Sequence, residues 1–104
     1  MRRFGAEVVK RWAKRVDENQ ADVVKELRSY GVTVQSLAEV GGGCPDILCG
    51  WMDQSFVFEI KNPEQPKSGR KLTRDEDQWI KAWRGQVAVI ETAEEALRIM
   101  GVIE

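Results

Sequence analysis

The chain has 104 residues, 42% of them hydrophobic and 32% charged, and a formal net charge of −1. That length suits a single domain with a modest core, and the near-neutral balance excludes a uniformly basic nucleic-acid coat. No apolar run is long enough to cross a bilayer, and Met1-Arg2-Arg3-Phe4-Gly5 lacks the apolar stretch of a secretory signal.

In chain order, residues 1–16 predict a basic amphipathic helix. Phe4, Val8, Trp12 and Val16 recur every fourth residue, and Arg2, Arg3, Lys10, Arg11, Lys14 and Arg15 face a single acid, Glu7. Asp17–Gln20 offers a break or a new cap, after which Val23, Val24 and Leu27 mark a second helix, stopped near Tyr30 by Gly31. Val32–Val40 reads as a bent strand and Gly41-Gly42-Gly43 as a loop. Ile47–Trp51 and Phe56–Lys61 read as strands joined by a turn at 52–55. A loop over 62–71 precedes a helix capped by Thr73, in which Trp79 and Trp83, at i and i+4, are expected in the core. Val87-Ala88-Val89-Ile90 has the continuous apolar character of a strand buried on both faces. A last helix starts at Thr92, with Ala96, Leu97 and Met100 inward. The expected class is therefore α/β, in the order α-α-β-β-β-α-β-α, with a mixed sheet flanked by helices in one domain over residues 1–104.

The chemistry lies in two strands. Residues i and i+2 of a strand share a face, so Phe56, Phe58 and Ile60 point one way while Val57, Glu59 and Lys61 point the other. If the Ile47 strand pairs with this one through the 52–55 turn, its beginning lies beside the other's end. Asp46 would then meet Glu59 and Lys61 at one end of the sheet. Two carboxylates in a chain without histidine favour a hard cation with oxygen ligands, such as magnesium. Pro45 and the preceding glycines leave room for a phosphate to approach. Lys61 could position a water or stabilise a pentacovalent phosphorus.

The segments GGGCPDILCGW, FVFEIK, KLTRDEDQWIKAWRG, QVAVIETAEEAL and NQADVVKELRSYGV together resemble the VRR-NUC domain. That family is a branch of the PD-(D/E)XK nucleases with a restriction-endonuclease-like fold, and the likeness is to its short stand-alone members in phages and bacteria. The resemblance covers roughly residues 17–100, leaving residues 1–16 as an added basic helix. It implies magnesium- or manganese-dependent cleavage of DNA, structure-selective at Holliday junctions or other branches, by a homodimer. Asp46, Glu59 and Lys61 match the family's motif residues, and the Ile60 carbonyl matches its backbone metal ligand. Gln20 stands where the family commonly has a glutamate. Glu76 matches a later site residue on a helix, but Thr73-Arg74-Asp75-Glu76 also fits a capping box, in which Glu76 would only close the helix start.

Lys67, Arg70 and Lys71, after the motif strand, and Lys10, Arg11 and Lys14 in the first helix are the candidate DNA contacts. Cys44 reads as a small loop residue, since no histidine is present to activate it. With Cys49 it makes neither a disulfide framework nor a zinc ligand set, so a reducing, intracellular setting is expected, and the resemblance implies the cytoplasm of a bacterial or phage-infected cell. Two alternatives stay open: a non-catalytic DNA-binding or assembly module on the same fold, and a nuclease acting on simple duplex DNA.

Overall fold

The computed structural model describes residues 18–104. The expected helix over 1–16, with Lys10, Arg11 and Lys14, lies outside the described residues. From residue 18 the elements are α1 (18–29), β1 (Thr33–Ser36), β2 (Ile47–Trp51), β3 (Gln54–Ile60), a 3-10 turn (Lys67–Arg70), α2 (Arg74–Ala82), β4 (Val87–Ile90) and α3 (Ala93–Met100). The strands form one mixed sheet in the order β1-β2-β3-β4. The first two pairings are antiparallel and the last is parallel. This is a mixed α/β architecture with helices flanking a four-stranded sheet.

Strand alternation organises the core. Ile47 and Cys49 of β2, Phe56, Phe58 and Ile60 of β3, and Ile90 of β4 share one face. That face packs with Val23 and Leu27 of α1 and with Ala93, Ala96, Leu97 and Met100 of α3. Leu27, Cys49, Phe58, Ile90 and Ala96 are fully enclosed, each at 0% exposure. Gly31, at φ +88°, ends α1 in the left-handed conformation that spares a Cβ, and the Gly31 and Val32 amides cap the Arg28 and Leu27 carbonyls.

Four expectations need correction. The strand expected over Val32–Val40 is only Thr33–Ser36, because residues 38–40 form a turn, closed by the Val40 amide on the Leu37 carbonyl at 3.0 Å. The hairpin turn is Met52-Asp53, both at positive φ, and Gln54 and Ser55 already belong to β3. β4 is an edge strand, not one buried on both faces. It pairs only with β3, and Val89 is 39% exposed on the face away from the core. Nor are Trp79 and Trp83 core residues. They stack on each other with centroids 4.6 Å apart, α2 contains no buried residue, and Trp83 is left exposed.

The central and edge positions should therefore respond differently to truncation. Leu27→Ala should cost about 2–5 kcal/mol, read as a lower urea midpoint. Val89→Ala should stay within about 0.5 kcal/mol. Equal losses would contradict the assignment of β4 as an exposed edge.

Candidate active site

Asp46 is fixed by three hydrogen bonds at the entrance to β2. Its amide donates to the Phe58 carbonyl at 3.0 Å, extending the β2–β3 ladder by one residue. Its carbonyl accepts from the Leu37 amide at 2.9 Å, and its side-chain Oδ2 accepts from the Ile60 amide at 2.7 Å. The last bond joins the first motif to the second. In extended backbone the amide and carbonyl of one residue point to the same side, so the Ile60 carbonyl faces the Asp46 side of β3. Pro45, immediately before, is fully buried and anchors the turn.

Glu59 alternates to the face opposite Phe58 and Ile60, yet it is only 5% exposed. Lys61 Nζ lies 3.4 Å from Glu59 Oε2 and 2.9 Å from Glu76 Oε1. The Lys61 and Glu76 side chains are themselves largely covered, at 12% and 19% exposure. Burial pushes the Glu59 carboxyl from 4.5 up to about 8, reinforced by the negative charges of Asp46 and Glu76 and opposed by Lys61. Burial also raises Asp46, although the Ile60 amide, the Gln20 side chain, Glu59 and the Lys61 ammonium all favour its charged form. For Lys61, burial disfavours the ammonium, but the hydrogen bond to Glu76 and the charges of Glu59 and Glu76 outweigh it and raise the lysine. Glu76 is lowered: burial acts against the carboxylate, and the Thr73 amide and Lys61 more than compensate.

Glu76 both caps α2 and touches Lys61. The Thr73 hydroxyl accepts from the Glu76 amide at 3.2 Å, and the Thr73 amide donates to Glu76 Oε1 at 2.8 Å, a complete capping box. The same Oε1 accepts from Lys61 at 2.9 Å. One carboxylate oxygen thus closes the start of α2 and holds the lysine. Gly43 brings this helix against the glycine loop. It sits at φ +85°, and a Cβ there would run into the Asp75 carbonyl and the Glu76 amide.

The structure therefore brings Gln20, Asp46, Glu59, Ile60, Lys61 and Glu76 to one end of the sheet. Lys67 and Lys71 lie exposed beyond it, the first opening the 3-10 turn and the second directly following it. Arg70 does not stand free as a candidate phosphate contact should: its Nη1 donates to Glu91 Oε2 at 2.8 Å, tying the 3-10 turn to the end of β4. Cys44 is half-buried at the site's margin, where burial and the charges of Asp46 and Glu59 raise its thiol. Asn62 was not anticipated. It is 6% exposed, and its Oδ1 accepts from the Glu64 amide at 2.9 Å, turning the chain away directly after Lys61. The Asn62-Pro63 pair was its only sequence signal.

Among the described residues no three His, Cys, Asp or Glu side chains gather as a metal-binding cluster. A cation here would draw on two carboxylates, the Ile60 carbonyl and water, a donor set that suits magnesium or manganese better than zinc. Compared with known proteins, the chain matches no family model, no curated protein and no solved structure. Among the described residues no helix is long and apolar enough to cross a membrane.

The Glu59 shift fixes a pH dependence. Its folded pKa lies above its unfolded value, so its contribution to stability is fully present below pH 4.5 and is lost as pH rises towards about 8. Asp46 acts in the same direction, whereas the lowered Glu76 contributes stability that is lost only at the acid end. In metal-free buffer, thermal unfolding should move to lower temperature between pH 5 and pH 8.5, and Glu59→Gln should flatten that slope. A slope unchanged in the variant would contradict the site's electrostatics.

Proposed function

We propose that this chain is a metal-dependent DNA endonuclease of the VRR-NUC type, on a PD-(D/E)XK fold, hydrolysing phosphodiester bonds. One observation carries the reading. Among the described residues a single ammonium, Lys61, serves three carboxylates, Asp46, Glu59 and Glu76, two of which are pushed towards protonation by burial. A purely structural ion pair would balance its charges, because unpaired buried charge is costly. Surplus carboxylate covered at a sheet end takes up either a proton, as the raised Glu59 does, or a cation from solution.

In this reading Asp46, Glu59 and the Ile60 carbonyl hold magnesium or manganese, which when bound supplies Lewis acidity and an acidified water. Lys61, steadied by Glu76, neutralises charge developing on the phosphate or orients the attacking water. Glu76 keeps the ammonium in place and shares its oxygen with the helix cap. Gln20 offers its amide to Asp46 or to a metal-bound water. Lys67 and Lys71 are suited to the DNA backbone beyond the site, with Lys10, Arg11 and Lys14 as further candidates and Arg70 as an anchor. The resemblance adds a homodimer acting on Holliday junctions or other branched DNA in the cytoplasm of a bacterial or phage-infected cell, with plain duplex as the simpler substrate.

A second reading, a non-catalytic DNA-binding module, draws on Gln20, whose neutral amide stands where an acid is commoner in the resembled family. Cleavage separates the two. With manganese and a panel of junction, flap, nicked and linear DNAs, the wild type should cut at least one substrate. Asp46→Ala and Lys61→Ala should each lose about 10²-fold or more while still binding DNA. Full cleavage by either variant would sink the nuclease reading, and inactivity of the wild type across the panel would favour the module.

A further inference from the structure

Next to the site, α1 and the edge strand β1 leave an open groove of about 510 Å³, lined by Gln20 at its site end. The volume falls within the roughly 300–1,000 Å³ of small-ligand clefts. Ile47, the residue after Asp46, also lines it, so the groove leads away from the carboxylates without a break. Its floor is apolar: Ala21 and Val24 from α1, with Val34 and Ile47 from the sheet. Among the described residues Lys25 and Arg28 are its only charged lining residues, and no carboxylate lines it. Ala21, Val24, Lys25 and Arg28 follow the i, i+3, i+4, i+7 spacing, so one stripe of α1 presents both the floor and the cations. Arg28 Nη2 donates to the Val34 carbonyl at 2.9 Å, fixing the guanidinium across the groove, and among the described residues its other donors are uncommitted.

We infer that this groove is a nucleotide subsite. It takes an unpaired stretch of the DNA strand that leads to the scissile phosphate, with a base face on the Ala21–Val24–Val34–Ile47 floor and phosphates on Lys25 and Arg28. The inference rests on the nuclease reading for the strand's destination, but its binding chemistry stands apart from the metal. An acidic ligand matches a groove with cations and no anions. An unpaired strand matches the apolar floor, which a duplex would leave bare while its phosphates met the rim.

The test is fluorescence anisotropy in EDTA, with a labelled single-stranded oligonucleotide and the same sequence as a blunt duplex, across a salt series. Lys25→Gln combined with Arg28→Gln should weaken single-strand binding at least about tenfold and reduce the log–log salt slope by about 1.4, with a smaller effect on duplex. Ala21→Trp fills the groove without touching charge, and it should weaken the single strand alone at unchanged thermal midpoint. No strand binding by the wild type, or unchanged affinity and slope in the double variant, would overturn the inference. So would equal losses on duplex. A shifted thermal midpoint or altered mass of Ala21→Trp without DNA would overturn it too, by assigning the groove to residues 1–17 or a second copy. Wild-type cleavage with manganese reads the metal site separately. Its absence alongside intact strand binding removes the nuclease reading and leaves the groove, whereas cleavage without any groove effect removes the groove alone.

Discussion

The hydrogen bond from the Ile60 amide to Asp46 Oδ2, 2.7 Å long, is the constraint on which the site depends. It spans the end of the β2–β3 hairpin and locks the residue before β2 to the last residue of β3. Because Ile60 itself points into the core, its neighbours Glu59 and Lys61 must point the other way. The register pairing Ile47 with Phe58 then leaves Asp46 no other position. Packing of the Phe56–Phe58–Ile60 face against α1 and α3 thus holds the buried Glu59 beside the half-buried Asp46, although the hydrophobic contacts never touch them.

A second constraint comes from α2. Its capping box fixes Glu76, and Glu76 fixes the Lys61 ammonium at 2.9 Å. A cap ordinarily contributes about 1 kcal/mol to a helix. Here the same atoms also set the position of Lys61, the one cation that the described residues bring to the site, so helix stability and site geometry are coupled. Gly43 tightens that coupling by letting the loop before Asp46 lie directly on the first turn of α2.

The meeting of Asp46, Glu59 and Lys61 was legible in the sequence because strand periodicity is rigid: a two-residue spacing settles which side chains share a face. The double role of Glu76 was not legible, since a capping box is a local pattern and its link to Lys61 crosses fifteen residues. Arg70 read as a free cation for the same reason, its partner Glu91 lying twenty-one residues away. The β4 run Val87–Ile90 is apolar whether it lies at the centre or the edge of a sheet, so composition could not say that one side would lack a neighbouring strand. Trp79 and Trp83 satisfy each other by stacking, an arrangement that helical spacing allows but that a core assignment passes over.

We propose that the carboxylates of buried Glu59 and half-buried Asp46 make this sheet end a cation site. Its most direct test is calorimetric titration of manganese into the wild-type protein near pH 7, in buffers of different ionisation enthalpy. With Glu59 raised to about 8, metal must displace its proton, so the observed heat should vary between buffers in proportion to a released proton. Absence of binding at millimolar manganese, or binding with no proton release, would contradict the account.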